Sequence, residues 1–149
     1  MKQFFILLGI FFLAVNSVRA QFPPPPPPVD SAMEDKLIFT KVDVEASFPG
    51  GQEGWRQYLM KNLQINKVAD QIIFPRGKKE IKQTIIVKFI VDRKGTISDV
   101  AAENMDADPY CIAEAIRVIK VSPPWVPARQ NGRSVNAYRR QPITFIFER

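Results

Sequence analysis

The stretch KQTIIVKFIVDRKGTISDVAAEN, Lys82 to Asn104, decides the fold that this sequence predicts. From Ile85 to Val91 every second residue is apolar, a period of two that is typical of a β-strand with one buried face. Those residues are Ile85, Val87, Phe89 and Val91. Gly95 closes the turn after this strand, where a positive φ is needed, and Thr96 to Asn104 has the composition of a returning strand. We therefore expect an antiparallel hairpin.

Helical periodicity flanks the hairpin on both sides. Upstream, Gln52 to Leu63 has apolar residues at spacings of three and four, namely Trp55, Tyr58, Leu59 and Leu63. Downstream, Asp108 is a suitable N-cap and Pro109 a suitable first helical residue for a helix that runs to about Lys120. The apolar stripe of that helix is Ile112, Ile116 and Ile119. Two amphipathic helices need one apolar surface to cover, which a sheet provides.

The remaining segments complete an α+β two-layer sandwich. Lys36 to Val44 is predicted as a short strand, and Gln64 to Glu80 as an irregular connection. After the second helix come two prolines, Trp125 and an Asn131-Gly132 turn, and the last strand runs from about Tyr138 to Phe147. We expect two helices packed on a three- to four-stranded antiparallel sheet.

The first 35 residues predict export. Lys2 precedes an apolar run of 12 residues, Phe4 to Val15, and Val18-Arg19-Ala20 is a pattern that signal peptidase cleaves. Residues 1–20 are therefore predicted as a signal peptide, with an uncleaved membrane anchor as the alternative, although a spanning helix needs about 20 apolar residues. Residues 21–35 form a linker whose six prolines span about 19 Å as polyproline II. Residues 36–149 form one domain.

Composition excludes several classes of enzyme. The chain has no histidine and one cysteine, Cys111, so histidine-activated nucleophiles, His-ligated zinc and dithiol chemistry lack their residues. We expect no catalytic residues, no metal and no cofactor, and we interpret Cys111 as a buried thiol. The acids near the second helix, Asp99, Glu103, Asp106 and Asp108, provide no matched acid-base pair. The protein is predicted not to be an enzyme.

Charge is unevenly distributed along the chain. The full chain has a net charge of +6, and removal of residues 1–20 takes away Lys2 and Arg19 and leaves +4. Residues 115–147 contain no acid and six basic residues: Arg117, Lys120, Arg129, Arg133, Arg139 and Arg140. Such a face is either solvated or attracts an anionic partner. We expect no nucleic-acid partner, because no nucleic-acid motif is present in a chain predicted to be exported.

Several short stretches, in this order, resemble a known family. They are Phe39-Thr40, Phe48-Pro49-Gly50-Gly51, Val87 to Asp92 with Gly95, Ile97 to Val100, Glu114 to Ile119, Pro124 to Ala128, Asn131-Gly132 and Gln141 to Phe145. The stretches resemble the C-terminal domain of TonB, the energy transducer that links the inner membrane to outer-membrane receptors, in the version common in Bacteroidota. The resemblance spans roughly Phe39 to Glu148.

The resemblance implies a non-catalytic periplasmic domain that acts in TonB-dependent transport across the outer membrane. Its edge strand would pair with the TonB box, a short peptide near the N-terminus of an outer-membrane receptor, by β-augmentation. The last strand is then the expected docking edge, with Arg139 and Arg140 beside acidic residues of the box. The implied partner-binding residues are Tyr138, Arg139, Arg140, Gln141, Ile143, Thr144 and Phe145.

Three other interpretations stay open. The first is a membrane-anchored transducer with an uncleaved N-terminus in the inner membrane, but the short linker departs from the long linkers of the family. The second is a soluble envelope protein that binds peptidoglycan or the anionic outer-membrane surface through its basic face. The third concerns assembly, because an unpaired strand edge also allows a homodimer by strand exchange.

Overall fold

The computed structural model describes residues 36–149, so the predicted signal peptide and linker lie outside the described residues. The strands of this part are β1 (Ile38–Phe39), β2 (Glu80–Val91), β3 (Ile97–Ala102), β4 (Ala128–Gln130) and β5 (Arg133–Glu148). The helices are α1 (Gly51–Asn62), α2 (Ile65–Ala69) and α3 (Pro109–Lys120). None of these helices is long and apolar enough to cross a membrane.

The sheet has the strand order β1-β5-β2-β3, and β4 pairs with the beginning of β5. The long strands β2 and β5 are antiparallel from Glu80 opposite Glu148 to Val91 opposite Ala137. The strand β1 pairs with β5 in parallel at Asn136 and Ala137, so the sheet is mixed where the sequence predicted an antiparallel one. The α+β fold class is confirmed, and the difference arises because the chain enters the sheet beside its own last strand.

The predicted strand alternation and helices are confirmed. Ile85, Val87, Phe89 and Val91 are all fully buried beneath the helical layer. In α3 the Asp108 carboxylate accepts a hydrogen bond from the Tyr110 amide at 2.8 Å, as an N-cap does. The core also contains aromatic residues from α1, from the turn that precedes it and from the segment before β4. These are Phe48, Trp55 and Trp125, with ring centroids 5.2 to 5.6 Å apart.

Two segments before β2 differ from their predicted structure, and the last strand begins at Arg133 instead of about Tyr138, with the unpredicted β4 paired to its start. The first strand is two residues long instead of nine, because only Ile38 and Phe39 reach the parallel register with β5. The connection Gln64 to Glu80 contains the short helix α2, whose Val68 is buried against the core. Both segments lack strong periodicity, and their structure follows from what they pack against.

The turn between β2 and β3 fixes the position of Trp125. Gly95 has a φ of 86°, and its carbonyl accepts a hydrogen bond from the Trp125 amide at 2.9 Å. A Cβ atom at position 95 would lie 2.0 Å from the Trp125 carbonyl oxygen. Only glycine fits this approach of two backbones, so the hairpin predicted from the sequence also holds the aromatic cluster in place.

A buried ion pair joins the helices. Glu114 of α3 is 7% exposed and accepts hydrogen bonds from the Arg117 Nε atom and the Gln64 amide, both at 2.7 Å. Arg117 also donates from Nη2 to the Asn62 carbonyl at the end of α1. Burial raises the pKa of Glu114, but the hydrogen bonds from Arg117 and Gln64 outweigh it and hold that pKa below its ordinary value.

Candidate functional site

The strand β5 is paired on one side only along most of its length. On one side it pairs with β2 from Ala137 to Glu148, whereas β1 reaches only Asn136 and Ala137 on the other. Within residues 36–149, β5 makes no backbone pairing beyond Tyr138 on the side that faces away from β2. The segment from Arg140 to Glu148 is therefore an open edge, about 27 Å long at about 3.4 Å per residue.

The hydrogen-bond alternation shows which backbone groups this edge presents. The Ile86 amide donates to Asn104 Oδ1 and its carbonyl accepts from the Glu103 amide, both at 2.8 Å, so Ile86 points toward β3. Its cross-strand partner Pro142 must then point away from β2, because opposite residues alternate between bonded and non-bonded pairs. By the same alternation Arg140, Thr144 and Ile146 direct their amides and carbonyls outward.

Pro142 lies at the outward position where its missing amide hydrogen costs no bond within the sheet. The edge therefore offers outward amides at Arg140, Thr144 and Ile146, and only a carbonyl at Pro142. The residues between them, Ile143 included, direct their backbone groups to β2.

A groove of about 210 Å³ lies beside the first half of this edge. Its aromatic lining is rigid, since Trp125 is 3% exposed and packs edge-on against Phe89 with ring centroids 5.0 Å apart. The polar lining comes from the edge itself and from the start of α1. The complete lining is Ser47, Phe48, Gly51, Gln52, Trp55, Trp125, Arg139, Gln141 and Pro142.

Charged side chains on β5 make local ion pairs. Arg139 pairs with Glu45 through Nη1, and Arg140 pairs with Glu103 with an Nε to Oε1 distance of 2.9 Å. On the outer face of the sheet, the Lys88 ammonium lies 4.2 Å from the Tyr138 ring centroid. Together with Arg117, which binds Glu114, at least three of the six basic residues in 115–147 have an acidic partner, and this pairing lowers the field of the basic face.

The structure brings the predicted partner-binding residues together on β5, but their side chains differ in access. Tyr138, Arg139 and Gln141 are half-buried, and Arg140 and Thr144 are exposed. The Thr144 hydroxyl lies 2.9 Å from the Thr84 hydroxyl across the strand pair. Ile143 and Phe145 are each 1% exposed, so their side chains belong to the core beneath the edge.

Sequence reasoning missed the other wall of the groove. Ser47, Phe48 and Gln52 face β5 although they lie about 90 residues earlier in the chain, and Glu45 reaches Arg139 from the same segment. The one signal that indicated this segment was Phe48-Pro49-Gly50-Gly51, a turn sequence that is also one of the stretches resembling the family. Gly50 has a φ of 78°, as that turn requires.

Metal binding and the Cys111 thiol are the two candidate chemistries of the described residues. No group of three or more His, Cys, Asp or Glu side chains within them could hold a metal ion. Cys111 is fully buried, and this burial raises the pKa of its thiol to about 11, so it is protonated and unreactive at neutral pH. The predicted burial of Cys111 is confirmed.

A family comparison matches the region that contains the open edge. Residues 77–147 match the sequence model of the family described as Gram-negative bacterial TonB protein C-terminal. Residues 77–147 form a TonB C-terminal domain. The match begins before β2 and ends within β5, so it contains the central hairpin, α3 and all of the open edge except Glu148. Searches among curated proteins and among solved structures found no significant match.

Membership of this family gives the domain a TonB-like role in transport at the bacterial cell envelope. The family is non-catalytic and generally interacts with TonB-dependent receptors. The match leaves α1 and the segment with Glu45 outside its bounds. The groove beside β5 is therefore built partly from matched residues, such as Trp125 and Gln141, and partly from residues that precede the match.

Proposed function

We propose that this domain binds a short extended segment of an outer-membrane TonB-dependent receptor by adding it as a strand to β5. The guest strand would pair with the edge from Arg140 to Glu148, and its side chains would alternate between the aromatic groove and the outer face. In this way the domain would connect receptors to transport across the outer membrane. The open and regular edge is the observation that carries the proposal.

Outward backbone groups support strand addition. Thr144 and Ile146 lie on a stretch whose pairing with β2 is continuous, so their free amides and carbonyls have regular spacing. A guest strand that bonds them exchanges water for backbone hydrogen bonds, each worth about 0.5–1.5 kcal/mol net. Pro142 reduces the number of such bonds, so the groove beside it must supply contact through side chains.

The seven residues predicted as partner-binding would then have three kinds of role. Arg140 and Thr144 would present backbone groups to the guest, and Ile143 and Phe145 would hold the strand straight from the core. Tyr138, Arg139 and Gln141 would contact guest side chains, with Gln141 and Arg139 on the groove side.

Amide-resolved titration tests this proposal. Isotope-labelled protein of residues 36–149 is mixed with synthetic N-terminal peptides of TonB-dependent receptors from the same organism, and hydrogen exchange is followed by nuclear magnetic resonance. We expect protection of the Arg140, Thr144 and Ile146 amides, with little change on β3. A peptide of the same length, in which proline replaces two central residues, is the control, because it lacks the amides needed to pair as a strand. Absence of binding by every receptor peptide at high micromolar concentration would refute the proposal.

A salt series separates strand addition from binding through the basic face. Attraction of peptidoglycan or an anionic surface to the arginines should fall steeply with ionic strength, whereas backbone pairing should largely persist. Arg117, Arg139 and Arg140 already have acidic partners within the domain, which favours strand addition over binding through the basic face.

We also propose that the protein is exported to the periplasm by cleavage after Ala20. Mass spectrometry of the native protein measures this directly, since a mature N-terminus at Gln21 supports export and an intact Met1 supports an inner-membrane anchor.

Homodimerisation by strand exchange would compete with the receptor peptide for the β5 edge. Such dimerisation predicts that the apparent affinity for a receptor peptide falls as protein concentration rises. Sedimentation velocity measures the dimerisation itself independently.

A further inference from the structure

We propose that Glu45 is a specificity-determining residue. Its carboxylate pairs with the Arg139 guanidinium until the carboxylate of a guest strand replaces it in the groove. This inference rests on the proposed function. Arg139 lines the aromatic groove, whereas Glu45 lines a smaller depression on its other side, together with Lys88, Tyr138 and Arg140. The ion pair thus connects the two depressions that flank the start of the open edge.

Arg139 has hydrogen-bonding capacity that the described residues leave unused. Its Nη1 atom donates to Glu45, and its Nη2 atom has only a long contact of 3.5 Å with Gln141 Oε1. Its Nε atom is buried and has no hydrogen-bond partner within residues 36–149. Since a guanidinium presents five donors in a rigid fork, a second carboxylate can bind it with better geometry than a single Nη contact gives.

Glu45 is held in a way that permits exchange. Its side chain is 68% exposed, whereas that of Arg139 is 26% exposed. Its backbone is fixed by bridges at Val44 and Ser47, which pair with Arg129 and Val126, so release of Arg139 requires only rotation of the Glu45 side chain. Exposed ion pairs are worth about 0.2–1 kcal/mol, which a guest carboxylate in the groove can replace.

The groove also indicates which guest residue would make the exchange. Arg139 lies next to an apolar wall made by Phe48, Trp55 and Trp125, and the amide side chains of Gln52 and Gln141 complete the lining. A glutamate flanked at alternate positions by aliphatic residues would place its carboxylate on Arg139 and its neighbours on the aromatic wall. The matching ligand is therefore a strand with a glutamate among valine-like residues on one face.

Two matched heptapeptides test the exchange, Ac-TVTETVT-NH₂ and its neutral twin Ac-TVTQTVT-NH₂, each titrated calorimetrically into the full-length protein. For Glu45→Gln we expect affinity for the glutamate peptide to rise about threefold to fivefold, with no change for the glutamine peptide. In Arg139→Gln, and in the double variant with Glu45→Gln, the two peptides should bind equally. Thermal unfolding of each variant shows whether the fold is kept.

Glu103→Gln is the matched control. It changes net charge by the same amount but releases Arg140, which lies outside the groove lining. If Glu103→Gln raises affinity for the glutamate peptide as much as Glu45→Gln does, general charge explains the effect and the inference is wrong. Absence of a rise in Glu45→Gln, or of heptapeptide binding while receptor peptides still bind, also overturns the inference and leaves the proposed function standing. If neither the heptapeptides nor the receptor peptides bind, both the inference and the proposed function are wrong.

Discussion

The two open edges of this sheet differ in length and regularity. The β3 edge is six residues long and carries a bulge, because Asp99 and Val100 lie opposite the single residue Phe89. Asp99 has a φ of 50°, a left-handed conformation that interrupts the pleat. The β5 edge keeps one register with β2 over all its twelve pairs. Bulges and short strands discourage pairing with other chains, so the domain protects one edge and leaves the other available.

The edges also differ in what lies beside them. The β5 edge borders the aromatic groove and two arginine ion pairs, whereas β3 continues into Glu103 and Asn104, whose polar groups bond back to β2. A partner strand on β5 would find both backbone groups and side-chain contacts. On β3 it would find an interrupted ladder. Specific recognition needs both backbone groups and side-chain contacts, so we propose β5 as the docking edge.

The largest expected effect on the stability of a variant that still folds comes from the turn that supports both edges. Gly95→Ala should destabilise the domain by about 3 kcal/mol, because the added Cβ atom meets the Trp125 carbonyl and the residue keeps a positive φ. Gly132→Ala has a similar φ of 76° without any such contact and should cost only about 1 kcal/mol. Urea unfolding measures both. Equal costs would mean that the close approach at Gly95 has no importance.

Loosening the helical layer should leave the difference between the edges intact. Glu114→Gln removes the charge partner of Arg117 and should cost about 1–3 kcal/mol at neutral pH, with unchanged affinity for a receptor peptide. The folded pKa of Glu114 is lowered, so its stabilisation is present above the unfolded pKa and is lost as pH falls through the folded pKa. Urea unfolding of both proteins should therefore converge toward low pH. If peptide affinity falls together with stability, peptide binding at the β5 edge is not independent of the helical layer.

Proline substitutions test the backbone register of β5. Thr144→Pro removes an outward amide and should weaken receptor-peptide binding about tenfold with the fold retained. Thr144→Val is the control, since it removes the hydroxyl near Thr84 but keeps the amide. Ile143→Pro removes an amide directed at β2 and should unfold the sheet. Circular dichroism measures the folding of all three variants, and peptide titration measures their binding. If Thr144→Pro unfolds the sheet and Ile143→Pro does not, the assigned alternation is reversed.

The smallest expected effect comes from repairing the protected edge. Deleting Asp99 leaves one residue opposite Phe89 and makes β3 regular. Each cross-strand pair contributes about 0.2–1 kcal/mol, so we expect self-association to strengthen by about fivefold at most. Sedimentation velocity measures it, with Asp99→Asn as a control that keeps the chain length. Equal association of both variants would show that the bulge does not protect the edge.

The sequence by itself determined the elements with strong periodicity. The alternation from Ile85 to Val91 predicted the buried face of β2, and Asp108-Pro109 predicted the start of α3. Asn131-Gly132 predicted a turn, and both residues have positive φ. These features are local, because side-chain period, N-cap and turn residues act within a few positions of the chain. The open edge was predicted only through the family resemblance.

Only the tertiary structure decided what surrounds that edge. Glu45 meets Arg139 across 94 residues, and Phe48 forms the groove with Trp125, although neither segment has a period that indicates its partner. The parallel entry of β1 and the short helix α2 arose in the same way. Contacts between distant segments depend on the packing of the whole core, whereas a local pattern specifies only which face of an element is buried.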